Sequence, residues 1–164
     1  MEQLTPEQRL SQLNLTLPPP PPLGGIYKPC VITGNYLYVS GHGPMLGDGS
    51  FITGKVGLDI DQEKGKLAAL QTGLTMFSTI KSQLGSLDKI KRVIKILGMV
   101  NCISEFEKHP YVINGCSELF AKVWGDDNGI GARSAVGMGS LPNNIAVEIE
   151  VIFELNESYS LRNE

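Results

Sequence analysis

Apolar and polar residues alternate along residues 30–40, on either side of the dipeptide Gly34-Asn35, which is typical of tight hairpin turns. This pattern predicts two short antiparallel strands. Residues 93–103 and 145–155 are rich in β-branched side chains and predict two longer strands. The residues Leu-Pro-Asn-Asn at 141–144 predict a turn just before the last strand.

Two further segments carry apolar residues at every third or fourth position, which is the period of an amphipathic helix. The first stripe is Leu67, Leu70, Leu74, Phe77, Ile80 and Leu84, and the second is Val112, Cys116, Leu119, Phe120 and Val123. Asp59 or Asp61 can cap the start of the first helix. Gly85 and Gly125 are placed to end the two helices.

This order of elements predicts an α+β fold with two helices packed on one face of a mixed or mainly antiparallel sheet. Alternate residues of the last strand, Val147 to Phe153, form an apolar face that should meet the helices. Glu148, Glu150 and Ile152 share the other face. Since that face is too apolar for solvent and too charged for a core, we expect it to pack against other subunits in a homo-oligomer.

The first 26 residues are expected to lie outside the main domain. Thr5 and Gln8 have the spacing of a capping box around Pro6, which predicts a short helix. Five prolines at 18–22 end that helix and predict a rigid, extended arm laid across the domain. The predicted organisation is therefore a helix and proline arm at 1–26, a domain at 27–155 and a tail at 156–164.

Composition narrows the classes of function. The net charge of −3 and the pI near 5.4 argue against a nucleic-acid partner. No run of apolar residues is long enough to span a membrane, and the N-terminus lacks a signal-peptide pattern, so we expect a cytoplasmic protein. Three widely spaced cysteines and two separated histidines fit neither a disulfide framework nor a metal site. We expect no cofactor.

A basic cluster at Lys89, Lys91, Arg92 and Lys95 flanks the strand predicted at 93–103. Binding to RNA would require interleaved aromatic residues and a wider basic surface. We interpret these charges as protecting an exposed strand edge from aggregation.

Arg133 has two interpretations. It comes where the chain enters a strand, just before a nearly uncharged run, and Glu148 follows on the next strand. An arginine at a strand end is often a surface ion-pair partner. A guanidinium is also a planar fork that can hold a carboxylate through two parallel hydrogen bonds. In that case the chain would fold back, as an antiparallel return, to bring Arg133 and Glu148 towards one cleft.

The segment ARSAVGMGSLPNNIAVEIEVIFEL, at 132–155, resembles the C-terminal signature of the RidA family (YjgF-like, also called L-PSP endoribonucleases). GNYLYVSGHGPM resembles the N-terminal strand of that family, and VINGCSELFAKVWG resembles its second helix. The resemblance covers about residues 27–155. The N-terminal helix and the proline arm resemble a poorly characterised branch of the family.

This resemblance implies a chorismate-mutase-like fold, a homotrimer with clefts between subunits, and a small carboxylate metabolite as the ligand. It implies hydrolysis of reactive 2-imino or enamine acids to 2-oxo acids and ammonia. Arg133 would hold the substrate carboxylate and Glu148 would act on the attacking water. The implied substrate-binding residues are Tyr27, Gly41 and Asn114, and Ala135 through its backbone carbonyl.

The sequence departs from this family pattern at three positions. Ala135 replaces a common cysteine, which excludes a thiol role there. Gly131 replaces a proline and is expected to loosen its loop, and His42 replaces a glutamine and could titrate near neutrality. Two alternatives to the enzyme therefore stay open: a non-catalytic trimer that binds a small carboxylate, and an endoribonuclease, which the acidic pI and the lack of a histidine pair disfavour.

Overall fold

A computed structural model describes residues 4–157 of the chain. Its strands are β1 (Cys30–Thr33), β2 (Tyr36–His42), β3 (Ile90–Asn101), β4 (Ala132–Met138) and β5 (Val147–Leu155). Within these residues they form a five-stranded sheet in the order β1-β2-β5-β3-β4. β3 and β4 are parallel and the other neighbours are antiparallel, which confirms the prediction of a mixed sheet.

The helices are α1 (Pro6–Gln12), α2 (Gln62–Leu84), α3 (His109–Trp124) and the short α4 (Asp126–Gly129), with 3-10 turns at Leu87–Lys89 and Pro142–Asn144. α2 and α3 pack against each other and on one face of the sheet, as predicted. α4 begins directly after Gly125, the residue at which α3 ends. On β5 the buried residues alternate with more exposed ones, so Glu148, Glu150 and Ile152 do lie on the face away from the helices.

The predicted ends of α2 and α3 agree with the structure, whereas α1 ends at Gln12, before the prolines that were predicted to end it. Asp61 caps α2 by accepting a hydrogen bond from the Lys64 N–H at 2.8 Å, while Asp59 instead accepts one from the Lys55 N–H at 2.8 Å. Gly85 ends α2 with a φ of 85°, a left-handed conformation that favours glycine. Asp61, rather than Asp59, is thus the residue that begins the helix.

The core lies between the two long helices and the sheet. Phe77 of α2 stacks on Phe120 of α3, and Phe120 in turn contacts Phe153 of β5. One prediction about this core is wrong, because Leu67 is 56% exposed. Its neighbour Ala68 is fully buried instead. The first turns of α2 use small residues against α3, and the apolar stripe therefore starts one turn later than the spacing of leucines indicates.

The interpretation of the basic cluster is also wrong in one respect. β3 is an interior strand between β5 and β4, so its charges do not protect an edge. Lys91 and Arg92 instead form ion pairs with Glu154 of β5. Lys95 donates to the Ser134 hydroxyl at 2.8 Å across to β4. The side chains of Lys91, Arg92 and Lys95 therefore bond to residues of the two neighbouring strands. Within the described residues, no helix is long and apolar enough to cross a membrane.

Candidate functional site

Three of the predicted site residues line one cavity. Tyr27, Gly41 and Glu148 all face a space of about 810 Å³ that lies beside β2 and the start of β5. The loop that carries Tyr27 is held against β2 by Ser40, whose hydroxyl donates to the Lys28 carbonyl at 2.7 Å. The Tyr27 hydroxyl accepts a hydrogen bond from the Gly24 N–H at 3.4 Å. These contacts hold the tyrosine at the cavity wall.

Glu148 is the acidic group of this cavity. Its side chain is partly buried, and that burial, with a smaller contribution from the charge of Glu150, raises the pKa of the Glu148 carboxyl above its usual range. Glu150 is exposed and lines the same cavity. A raised pKa makes this carboxyl a stronger proton acceptor than an ordinary glutamate, and a carboxyl in a cavity is a group that general acid–base chemistry can use.

Gly41 is a glycine because the Glu148 carboxylate lies against its backbone. A Cβ atom at this position would overlap the Glu148 side chain. The register between β2 and β5 shifts between Val39 and His42, so Gly41 lies in a bulge of β2. The bulge and the missing side chain together let the carboxylate of one strand approach the backbone of the next.

His42 is buried and does not act as the titrating group that its sequence position suggests. Its Nδ1–H donates to the Ser40 carbonyl at 2.6 Å, and its Nε2 accepts from the Thr79 hydroxyl at 2.8 Å. Burial lowers the pKa of this imidazole, against a smaller opposing effect of the Ser40 hydrogen bond. The ring is therefore neutral at pH 7. It fixes the β2 bulge rather than presenting a charge to the cavity.

The other predicted residues lie together on α3 and β4. The Nη1 group of Arg133 donates to the Asn114 side-chain oxygen at 2.7 Å and to the Ser117 hydroxyl at 3.1 Å. Among the described residues, its Nε and Nη2 groups have no hydrogen-bond partner. Ala135 follows on the same face of β4 and packs against the core. α3 therefore orients one side of the guanidinium and leaves the other side free for a ligand.

Gly131 has a packing role that differs from the loosening predicted for it. A Cβ atom there would lie 2.8 Å from the Val93 carbonyl and 2.9 Å from the Ile94 carbonyl of β3. The glycine thus lets the chain enter β4 in close contact with the backbone of β3, two residues before Arg133.

Arg133 and Glu148 do not meet within one chain. β3 lies between their strands: Ile96 pairs with Arg133, and Met99 pairs with Glu148. Three residues along β3 and two strand spacings separate the positions by roughly 14 Å. The odd offset also puts the side chains on opposite faces. The chain does return antiparallel, since β5 runs opposite to β4, but β3 lies between the two strands, so the return does not bring Arg133 and Glu148 to one cleft within a chain.

The predicted residues therefore form two groups, which we name half-sites. The acidic half-site is Tyr27, Gly41 and Glu148. The basic half-site is Asn114, Arg133 and Ala135. Ser117 was not among the predicted residues, although it follows Asn114 by three residues and so shares its helix face. The proline arm was not predicted as a wall of the acidic half-site, since no local pattern shows where an extended segment will lie.

A second cavity, of about 730 Å³, contains none of the predicted residues. Cys102 and His109 line it, with the thiol sulfur 3.4 Å from the His109 Nε2 atom. Burial raises the pKa of the Cys102 thiol, so that it is protonated at neutral pH. Within residues 4–157, no group of three or more His, Cys, Asp or Glu residues is arranged to hold a metal ion.

Comparison with known proteins places the chain in a family. The family model described as "YjgF/chorismate_mutase-like, putative endoribonuclease" matches residues 7–155. The chain is 37% identical over 147 residues to "Protein TCP17" of Trypanosoma cruzi, which covers 90% of this chain and 92% of that protein.

Two solved structures have the same fold over nearly the whole chain. A protein of unknown function, Atu1372 from Agrobacterium tumefaciens, is 44% identical with a TM-score of 0.82 and covers 92% of each chain. A structure titled a "putative endoribonuclease" from Shewanella oneidensis is 28% identical with a TM-score of 0.87, over 93% of this chain and 100% of that chain. The chain belongs to the YjgF/chorismate-mutase-like family, whose RidA members its sequence resembles.

Proposed function

We propose that this protein hydrolyses reactive 2-imino or enamine acids to 2-oxo acids and ammonia, in a cleft formed between two subunits. The observation that carries the proposal is the division of the site into two incomplete halves. Among the described residues, Arg133 has free donors and no ion-pair partner, and Glu148 lines a cavity to which no lysine or arginine contributes. Each half supplies what the other lacks.

The basic half-site fits a carboxylate. Two N–H groups of the guanidinium, one on Nε and one on Nη2, point in parallel and match the two oxygens of a carboxylate. Since Nη1 is held by Asn114 and Ser117, the fork has a fixed orientation before the ligand arrives. Binding the carboxylate this way would place the adjacent imine carbon at a defined position.

The acidic half-site fits the hydrolysis step. Glu148 would accept a proton from a water molecule as the water oxygen forms a bond to the imine carbon. It would return that proton to the nitrogen, which gives a carbinolamine. It would then transfer the proton of the new hydroxyl group to the nitrogen as well, so that the carbon–nitrogen bond breaks, ammonia leaves and the carbonyl forms. A carboxyl with a raised pKa suits both directions of proton transfer. Tyr27 would cover the substrate.

A homotrimer supplies the geometry that the proposal needs. In a ring of identical subunits, each contact joins two different surfaces of the chain, so a basic half-site can face the acidic half-site of the next subunit. The sheet face away from the helices exposes Val31, Tyr36 and Tyr38 to 44–49%. Such apolar exposure supports association through this face.

The test is an assay for the loss of the imine. An amino-acid oxidase generates the 2-imino acid in situ, and semicarbazide traps what remains. We expect the wild-type protein to reduce the trapped imine and to release ammonia and 2-oxo acid in equal amounts. Equal signals from wild type, Arg133→Ala and Glu148→Gln would contradict the proposal.

A second candidate is a module that binds a small carboxylate without turnover. The observation in its favour is Ala135, which places a methyl group where the RidA signature has a cysteine. A 2-oxo acid would then raise the melting temperature in proportion to the logarithm of its concentration, with no acceleration of imine loss. The imine assay separates the two functions.

An endoribonuclease is the activity named for the family model and for the Shewanella oneidensis structure. The two histidines of this chain do not form an acid–base pair, since both ring nitrogens of His42 are engaged in the β2 bulge and His109 contacts Cys102. Cleavage of RNA that survives stringent purification and is lost in Glu148→Gln would favour this function over the deaminase.

A further inference from the structure

The proline arm, which we define as residues 18–24, is part of the wall of the acidic half-site. Residues 19–24 line the cavity in succession, together with Tyr27, Gly41 and Glu148. The arm comes from outside the sheet and its two packed helices, so nothing in the strand-and-helix pattern requires it to be there. Its position beside the carboxyl group that would carry the chemistry indicates a role in that site.

The arm is held at both ends and unbonded in between. At its start, Pro18 is buried and its carbonyl accepts a hydrogen bond of 2.6 Å from the Ser78 hydroxyl of α2. At its end, the Gly24 N–H donates to the Tyr27 hydroxyl. Among the described residues, 19–23 make no backbone hydrogen bond. Proline fixes φ and has no N–H, so this segment keeps its extended shape without a neighbouring strand.

α1 fixes the arm from the N-terminal side. The Glu7 carboxylate accepts hydrogen bonds from Lys81 at 2.6 Å and from the Leu87 N–H at 2.8 Å. Leu10 is buried in the core beside α3. The arm therefore starts from a helix that is itself attached to the domain, and it behaves as a fixed wall rather than a free tail.

The chemistry of the cavity separates into an apolar part and an acidic part. The arm contributes four prolines and Leu23, and the apolar side chains of Met45, Phe51 and Ile145 line the same space. Glu148 and Glu150 are the acidic groups. Among the described residues, no lysine or arginine lines this cavity. A ligand that enters it meets an apolar surface and two carboxyl groups.

We propose that the arm determines substrate specificity: it forms an apolar subsite that binds an uncharged side chain of the substrate, while Glu148 and Glu150 repel a second carboxylate. The proposal rests on the function proposed above, because the substrate carboxylate is assigned to Arg133 of a neighbouring subunit. Its new element is the assignment of the side-chain subsite to residues 18–24, and to Leu23 in particular.

The test compares three imino acids, generated from leucine, alanine and glutamate, in wild type and Leu23→Lys. We expect Leu23→Lys to lower kcat/KM for the leucine-derived substrate about tenfold, in the range that a mismatched apolar pocket gives. The alanine-derived substrate, which does not reach the arm, should keep its kcat/KM. The glutamate-derived substrate should gain from the new cation. Leu58→Lys is the matched control, since Leu58 is 73% exposed and lies outside the cavity lining.

Ser78→Ala gives an independent variant that leaves every cavity side chain in place. It removes the anchor of Pro18, so we expect KM for the leucine-derived substrate to rise with kcat unchanged, and both constants for the alanine-derived substrate to stay at wild-type values. Equal effects on all three substrates, or no effect of Leu23→Lys on their ratio, would overturn the assignment.

Failure of the proposed function can be distinguished from failure of the arm. If wild type turns over no imino acid, calorimetry with 4-methyl-2-oxopentanoate and pyruvate measures the same subsite by binding. A larger Kd for the first ligand alone in Leu23→Lys supports the arm as the wall. A wild-type protein that binds both ligands equally, and a variant that does the same, would overturn it.

Discussion

Replacing Arg133 by lysine keeps a positive charge on β4 and removes the planar fork. In the wild type, Nη1 is engaged with Asn114 and Ser117, which leaves the Nε–H and the Nη2 hydrogens for a carboxylate. Two charge-assisted hydrogen bonds of about 1.5–3 kcal/mol each would stabilise the bound ligand by about 3–6 kcal/mol. An ammonium group can replace one of them at most.

We therefore expect Arg133→Lys to lose about half of this energy and Arg133→Ala to lose all of it. At about 1.4 kcal/mol for each factor of ten, kcat/KM should fall by roughly 10–100-fold for lysine and roughly 100–10,000-fold for alanine. Asn114 and Ser117 are only partly buried, so water can replace the lost donor, and the free energy of unfolding should change by less than about 2 kcal/mol.

Initial rates of imine loss and a thermal unfolding curve for each variant measure the two effects separately. Arg92→Lys is the matched control, because Arg92 pairs with Glu154 and lies in neither half-site. Values of kcat/KM within twofold of wild type for Arg133→Lys would refute the two parallel hydrogen bonds from the guanidinium to the substrate carboxylate. A fall in kcat/KM accompanied by unfolding of the variant would show that Arg133 is structural instead.

Three further predictions concern the acidic half-site. Because the pKa of Glu148 is raised, its ionised form destabilises the fold as pH rises above about 4.3. Glu148→Gln should therefore raise the melting temperature at pH 7 while it abolishes imine hydrolysis. A lower melting temperature would contradict this. Gly41→Ala should lower kcat with a melting temperature near that of wild type, because the new Cβ displaces the Glu148 carboxylate; unchanged kcat would count against the placement of that carboxylate. Because the pKa of His42 is lowered, the unfolded chain takes up the proton first as pH falls, so the free energy of unfolding decreases below about pH 6.5 by at most about 1.4 kcal/mol per pH unit. Urea midpoints of His42→Gln should lack this decrease. The same pH profile in both proteins would exclude His42 as its source.

Features of this fold that depend on residues close together in the sequence could be predicted from the sequence. The capping box at Thr5 and the left-handed glycine at Gly85 depend on neighbouring residues only, and both are confirmed. The alternation on β5 likewise placed Glu148 on the face away from the helices, because a strand has a period of two. The prediction that Leu67 is buried is wrong for a physical reason. The first turns of α2 pack against α3 through small residues, which the spacing of leucines alone does not show.

The non-local part could not be predicted in the same way. Residues 132–138 and 147–155 follow each other along the chain, which favoured an antiparallel return to one cleft, yet β3 lies between the two strands. Strand order depends on contacts between distant segments, and no local pattern reports them. The family resemblance named the residues of each half-site. That Arg133 and Glu148 lie on opposite faces of the sheet follows only from the register of β4, β3 and β5, which the sequence does not show.

The central claim is that Arg133 of one subunit and Glu148 of another act on the same substrate. Mixing Arg133→Ala with Glu148→Gln under conditions that exchange subunits tests it directly, since each variant still carries the residue that the other lacks. Random mixing in a ring should restore roughly a quarter of the wild-type activity, because one pairing in four joins two intact half-sites. Mixed oligomers that have exchanged subunits and show no activity above that of the separate variants would contradict the claim.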